Sequence, residues 1–406
     1  IDATDGVSGV IDEANLADSS LTSATTFGSV TGGIPAVSSD PPSPSLGDAW
    51  YNTTLGKLKF RADIGSWSSG GNVNTARAFG MGAGTTDANL YYGGSAAPTY
   101  YGQTENYNGT SWTEVADLNT GRGSAGGMGT STAALCAGGR VSPPTDTSSS
   151  ETWDGSSWTE GNDLNSERYS IANKGAGTST AGLCAGGRNK GPGSYDALNE
   201  EYDGTSWTEV NDLPAGVESA SGLGTQTAAA VWGGYTGSYR ATGILYDGTN
   251  WTTTTDFPVA SGSASESGTT STGLLYGYYN SPADSYVANT VSWDGTNFSG
   301  EGDLSTARQQ IAGAGTNTAG LVFGGNPNRT NTEGYDGTSW SNKPALATGV
   351  EDTSGSAQGT NAEAFQAGQS ASPISIVQNW NSSANVVTAG AFSSTGSIGT
   401  ARSQIA

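Results

Sequence analysis

Histidine is absent from the 406 residues and cysteine occurs only twice. The first absence removes the commonest general base and the commonest transition-metal ligand together, which excludes most familiar active sites. The second excludes a disulfide framework, so packing and backbone hydrogen bonds must hold the chain. Basic residues are scarce too: 15 Lys and Arg stand against 37 Asp and Glu, a formal charge of -22. Such a chain repels phosphate backbones and anionic lipid, which argues against nucleic-acid binding and a basic membrane anchor. No run approaches the roughly 18 apolar residues that span a bilayer. Ile1, Asp2, Ala3 and Thr4 lack the basic and apolar regions of a signal peptide, so the start is read as processed or cropped. Helix-period stretches are missing as well.

What is present is glycine, 63 residues of it, and a repeat. Variants of Tyr-Asp-Gly-Thr-Ser-Trp start at Tyr107, Trp153, Tyr202, Tyr246, Trp293 and Tyr335. Their final aromatics, Trp112, Trp158, Trp207, Trp251, Phe298 and Trp340, lie 46, 49, 44, 47 and 42 residues apart. Trp67 extends the rhythm upstream and a degraded copy around Trp380 extends it downstream. A second landmark is Gly-Gly after a short apolar run, ending at Gly94, Gly139, Gly187, Gly234 and Gly325. Ahead of those runs stand Arg77, Arg122, Arg168 and Arg308, replaced by Val217, Ser261 and Val350 in the other copies.

Each period holds four short segments rich in Thr, Tyr, Val and Trp and punctuated by glycine, the pattern of strands. Asp-Gly suits the turn between segments three and four, because Gly tolerates positive φ and Asp bonds its own backbone. Segments such as 129–132 link one and two. The unit is a four-stranded antiparallel meander that cannot bury both faces alone, so copies must stack. Four strands per 45 or so residues is the arithmetic of a β-propeller blade. The expected fold is therefore all-β, a propeller of seven blades, or eight if half copies at residues 57–70 and 400–402 complete one more. Residues 1–45 are read as an extended N-terminal shaft or attachment segment ending in a Pro-rich linker at 40–45. Residues 46–74 follow as a hairpin and lead-in strands, and 75–406 as the propeller.

Gly186-Gly187, Tyr202 and Trp207, like Gly233-Gly234, Tyr246 and Trp251, stand in the order of a kelch repeat. Residues 75–390 thus resemble the kelch family, with Tyr and Trp about one residue off the usual spacing and strands poor in charge. These Gly/Ser/Thr-rich repeats are also similar to those of bacteriophage fibre and appendage proteins. Galactose oxidase uses a related propeller, but its copper needs histidine, so the enzyme reading fails here. Asp-Gly-Thr-Ser-Trp resembles the Asp-box of sialidases, though that motif has one more residue and those enzymes need three axial arginines. Here the phrase is read as a turn with a buried aromatic, and the recurring arginines as ion-paired strand starts. Asp117, Asp163, Asp212, Asp256 and Asp303 recur five residues after the aromatic. Calcium accepts such oxygens, but no loop wraps a cation by itself, and turn capping is the simpler reading. Cys136 and Cys184 fall at the same place in adjacent copies; stacked sheets about 10 Å apart keep them unbridged. No cofactor and no metal are expected.

Length variation singles out one face. From the end aromatic to the next Gly-Gly the count is 26 in four clear copies and 28 in one; from there to the next aromatic it drifts through 13, 14, 15, 12, 15 and 10. Variable loops in repeat proteins collect on the binding face. Those loops carry Tyr100, Tyr101, Arg140, Arg188, Lys190, Tyr195, Tyr235, Tyr239, Arg240, Tyr279, Tyr286, Asn326 and Arg329, the candidate ligand-binding residues. Tyrosine offers a flat ring and a hydroxyl at small entropic cost, and the basic residues gathered here invite an anionic group such as a cell-surface polysaccharide. The resemblance implies a non-catalytic phage virion module, a tail fibre, spike or head appendage, at the virion surface or outside the cell. Its expected partners are a host-surface glycan or protein and other virion proteins, in a homo-oligomer with a trimer favoured. A secreted bacterial lectin or adhesin is the alternative, and a glycan-cleaving enzyme would require paired carboxylates converging in a pocket.

Overall fold

The computed structural model describes residues 35–42, 48–62, 65–171, 176–189, 194–351, 360–367, 373–382 and 385–388. Among them there is no helix. The chain forms two compact units, residues 66–382 and residues 1–65 with 383–406.

The larger unit is an all-β propeller. Its first module pairs Met81–Gly84, Asn89–Tyr92, Thr104–Tyr107 and Trp112–Glu114 as a consecutive antiparallel meander. Five more four-stranded sheets repeat that order, beginning with Gly126–Thr130, Ala176–Gly177, Ser221–Thr225, Ser265–Gly268 and Ala312–Gly315. A seventh sheet is built differently: Glu363–Ala367 and Val377–Asn381 are joined by Ser66–Ser69, from the other end of the unit. Buried clusters link each sheet to the next, and Tyr107 and Trp112 of the first pack on Phe365 of the seventh, both pairs of rings at 5.5 Å. The stack therefore returns to its start.

The half copy expected over residues 57–70 divides between the two units. Ser66–Ser69 is the last strand of the seventh sheet, whereas Lys57–Ala62 pairs with Ala49–Asn52 and Asn385–Thr388 in the smaller unit. The hairpin expected over 47–60 is present. Asp40 is no free linker residue: its carboxylate accepts from Trp50 Nε1, Asn52 Nδ2 and Lys59 Nζ at 3.0, 2.8 and 2.5 Å. Of the shaft and linker expected over residues 1–45, residues 1–34 and 43–45 lie outside the described residues, as does the 400–402 half copy.

The Gly-Gly landmark is a seam between modules. Gly138 and Gly139 have φ of 65° and 107°, and Gly139 N–H donates to the Arg168 carbonyl of the next module at 2.8 Å. A Cβ on Gly138 would stand 2.6 Å from that same oxygen, which no side chain tolerates. The bond recurs from Gly94, Gly187, Gly234 and Gly325.

A second seam uses the end aromatic. Nε1 of Trp158, Trp340 and Trp67 donates at 2.9 Å to Oγ1 of Thr104, Thr290 and Thr332, the residue opening the third strand of the preceding module. Where that residue is Ser150, Asn199 or Val377, the indoles of Trp207, Trp251 and Trp112 lack a partner. The fifth module has Phe298 there, opposite Gly243. Val377→Thr is expected to give Trp112 an acceptor and to raise stability by about 1 kcal/mol, the net worth of one buried hydrogen bond. Urea unfolding measures it, and a lowered midpoint would refute the seam rule.

The recurring arginines are ion-paired and fully buried. Arg77, Arg122, Arg168 and Arg308 meet Glu105, Glu151, Glu200 and Glu333 at 2.6, 2.5, 2.8 and 2.8 Å. Each glutamate sits second in the third strand of its module, and its other oxygen accepts the backbone N–H of Asn74, Asn119, Asn165 or Ser305 at 2.7 or 2.8 Å. The fourth and fifth modules lack the pair and change all three positions together. Val217 faces the place of Arg and Ile244 that of Glu, with Pro214 where the N–H would be; in the next module these are Ser261, Val291 and Pro258. Proline has no N–H to leave unsatisfied. In the seventh module Val350 and Gln378 occupy the two positions, and Gln378 Oε1 accepts from Ala347 N at 2.8 Å.

At the hairpin end, the Asp-Gly phrase is the turn anticipated. Asp154 Oδ1 accepts from the N–H of Ser156 and Ser157, both at 2.8 Å, and Gly155 takes φ 96°. Asp203, Asp247, Asp294 and Asp336 repeat this. The Ser156 hydroxyl, then the N–H groups of Ser157 and Ser156, hold the Asp154 carboxyl down to about 2. Because the folded value is depressed, the turn's contribution is complete above the ordinary 3.8 and is lost as pH falls through about 2. Carboxyl NMR should place the Asp154 midpoint near 2; a midpoint near 3.8 would show the turn unformed.

Candidate functional site

The variable loops do not hang free. Each folds back on the segment leading into the first strand of its own module, as in the bridges Ala78 to Ser95, Gly123 to Arg140, Tyr169 to Arg188, Glu218 to Tyr235 and Gln309 to Asn326. Several also reach the lead segment of the next module, Arg240 to Ser261 and Arg329 to Val350. The loops therefore form a rim of short ribbons on one face, with side chains held by backbone pairing on both sides.

Five of the candidate tyrosines meet in one run. Ring centroids are 5.6 Å apart for Tyr195 and Tyr235, 5.0 Å for Tyr235 and Tyr239, 4.8 Å for Tyr239 and Tyr279, and 6.2 Å for Tyr279 and Tyr286. The planes are inclined by 48° to 81°; three of the contacts are edge-to-face, an arrangement the ring quadrupole favours, and Tyr239 with Tyr279 is tilted. The run crosses the third, fourth and fifth modules. Tyr286 at its end is 39% exposed, one of the three exposed large hydrophobics among the described residues, with Leu55 and Phe79.

Tyr195, Tyr239 and Tyr279 stay protonated at neutral pH. Burial raises Tyr195 and Tyr239 first, with Tyr235 and Glu218 adding to it, while the hydrogen bond to Asp284 pushes Tyr279 up to about 12. Each therefore remains able to donate.

Beside the run lies its charged end. Arg188 Nη1 stands 3.5 Å from Glu218 Oε1, and its guanidinium 6.0 Å from the Tyr195 ring centroid. Arg140 Nε bonds Asp146 Oδ1 at 2.9 Å and its guanidinium lies 3.8 Å over Tyr169. Tyr100 is within electrostatic reach of Arg140, Asp146 and Tyr169. The basic residues gathered on this face are in part ion-paired: Arg140 and Arg188 each face a carboxylate.

Neither family models nor curated proteins match this sequence.

The remaining candidates serve locally. Tyr101 carries backbone bonds to Gly94 and Arg122; Arg240 Nε donates to Thr236 Oγ1 at 2.8 Å; Asn326 Nδ2 reaches Gln310 Oε1 at 3.5 Å, and Arg329 N–H donates to the Gly325 carbonyl. Lys190 lies outside the described residues. Sequence reasoning missed Tyr169, Glu218 and Asp146. The first two sit in the lead segments, directly after Arg168 and Val217, where other copies hold Ala78, Gly123, Gly262, Gln309 and Glu351. With small and large residues both found at that position, the sequence carried no signal for them.

The second set of carboxylates caps strands: Oδ1 of Asp117, Asp212, Asp256 and Asp303 accepts from the N–H opening the third strand, at 3.1 to 3.3 Å. Cys136 and Cys184 are free and buried, and burial pushes both thiols up to about 12.

Proposed function

We propose that this chain is a non-catalytic recognition module of a phage virion, a tail fibre, spike or head appendage, whose loop face contacts a host-surface glycan or protein. The observation that carries the reading is the run of five tyrosines across three modules, on the loops whose lengths vary while the scaffold stays constant. Rigid aromatic rings with polar tips are what a recognition surface uses at low entropic cost. A kelch-like assignment is supported by the Gly-Gly, Tyr and Trp order, with Gly-Gly at the module seams. The non-catalytic reading is supported by the turn and strand-capping duties of the recurring aspartates. On this proposal other virion proteins are neighbours, the assembly is a homo-oligomer, and the chain acts at the virion surface.

The test is binding of the fluorescently labelled chain to intact bacteria across a strain panel. A susceptible strain should retain it, and Tyr235→Ala with Tyr239→Ala should reduce retention by about tenfold or more. Peptides of the chain should appear in purified particles. Retention without particle association would favour a secreted lectin or adhesin, and no retention by any strain would end the recognition reading.

A further inference from the structure

The chemistry of the ligand can be narrowed, on the premise that the loop face recognises one. Tyr239 lies directly against the backbone of Gly262: a Cβ there would stand 2.4 Å from the ring's Cε1. Tyr195 passes beside Gly237, with 3.9 Å to the corresponding point. The rings are thus seated on backbone and on one another, and little side-chain freedom remains to be lost on binding.

Charge decides the class. Two guanidinium groups, Arg140 and Arg188, face two carboxylates, Asp146 and Glu218, so the polar end of the run is locally balanced. The surrounding chain carries -22. An anionic ligand would meet that field with Arg140 and Arg188 already engaged by carboxylates and Arg240 held by the Thr236 hydroxyl. A cationic one would find both carboxylates engaged.

Protein interfaces also use Tyr and Arg as anchors. Among the described residues the exposed large hydrophobics are Leu55, Phe79 and Tyr286, so what the run offers is aromatic rings with polar tips. Rings flanked by paired donors and acceptors fit a ligand that is apolar on its C–H faces and polyhydroxylated at its edges.

We propose that the run from Tyr195 to Tyr286 holds a neutral oligosaccharide, with sugar faces on the tyrosines and hydroxyls bridging Arg188 and Glu218. The Arg188–Glu218 separation of 3.5 Å is long for a charge-assisted bond, so a hydroxyl can donate to the carboxylate and accept from the guanidinium without breaking a tight pair.

The full chain should be assayed on an array of neutral and acidic oligosaccharides, uronate and sulfated ones included, and hits titrated calorimetrically at low and high salt. Neutral glycans should bind with affinity unchanged by salt. Tyr286→Ala, at an exposed position where folding is safe, should weaken binding by about tenfold. Gly262→Ala, which displaces the Tyr239 ring without removing it, should do the same, whereas Glu160→Gln, exposed on the fourth strand of the second module, should leave affinity unaltered. Exclusive binding of acidic glycans, affinity that falls with salt, or indifference to Tyr286→Ala and Gly262→Ala would each overturn the proposal. So would an array without hits; if labelled chain still adhered to bacteria, recognition would stand and only the ligand class would fall.

Discussion

Glu151→Ala should lower the stability of the larger unit by about 3–5 kcal/mol, because it strands a guanidinium that has no solvent access. Arg122 loses its bond to Glu151 and the Asn119 N–H loses its acceptor in the same change. The chain itself supplies the control. Its fourth module replaces Arg, Glu and the N–H donor together by Val217, Ile244 and Pro214. Transplanting that set, Asn119→Pro with Arg122→Val and Glu151→Ile, should return stability to the parent level or above, since well-packed hydrophobic residues commonly match or better a buried pair. The double change without proline should fall short by about 1–3 kcal/mol, the cost of one buried N–H left unpaired. Guanidinium unfolding of the four proteins checks this. Equal losses in the triple and single variants would show that the fourth module is stable for another reason.

The second large effect is expected at Trp67. Its ring meets Phe323 at 4.8 Å and Trp380 at 5.5 Å, and its indole donates to Thr332. It stands on the strand that completes the seventh sheet, so Trp67→Ala removes packing from two modules and the anchor of the closing strand at once. A loss of about 3 kcal/mol is expected, the low end for tryptophan truncations because Trp67 is only partly buried. Hydrogen exchange should rise first in Val377–Asn381, the strand it pairs with. A small loss with unchanged exchange there would mean that the ring holds without this strand.

Much of the scaffold was legible because its cues are local. Asp154 and Gly155 make their turn within four residues, and the Gly138 and Gly139 conformations are written in the residue type itself. The ion pairs were legible by half: arginine announces a partner, but its glutamates stand 25 to 32 residues away, and only the register of the third strand brings them in. Residues 57–60 misled because alternating Lys and apolar residues describe a strand without saying which sheet receives it. At the candidate site the loops were found by their length, and Tyr195, Tyr235, Tyr239, Tyr279 and Tyr286 by their composition. Their contiguity was not, since it depends on neighbouring modules. Nor was the neutralisation of Arg140, because Asp146 became its partner only through the ribbon that the loop forms.

The closing strand also sets a clock. Ser68 bonds Asn379, a contact that spans 311 residues. At roughly 5–20 residues per second of synthesis, the early strand waits on the order of 15–60 s on the ribosome before its partner exists. Throughout that interval it is an unpaired edge carrying a tryptophan, so production of this protein should be sensitive to chaperone supply and to anything that slows translation of the last module.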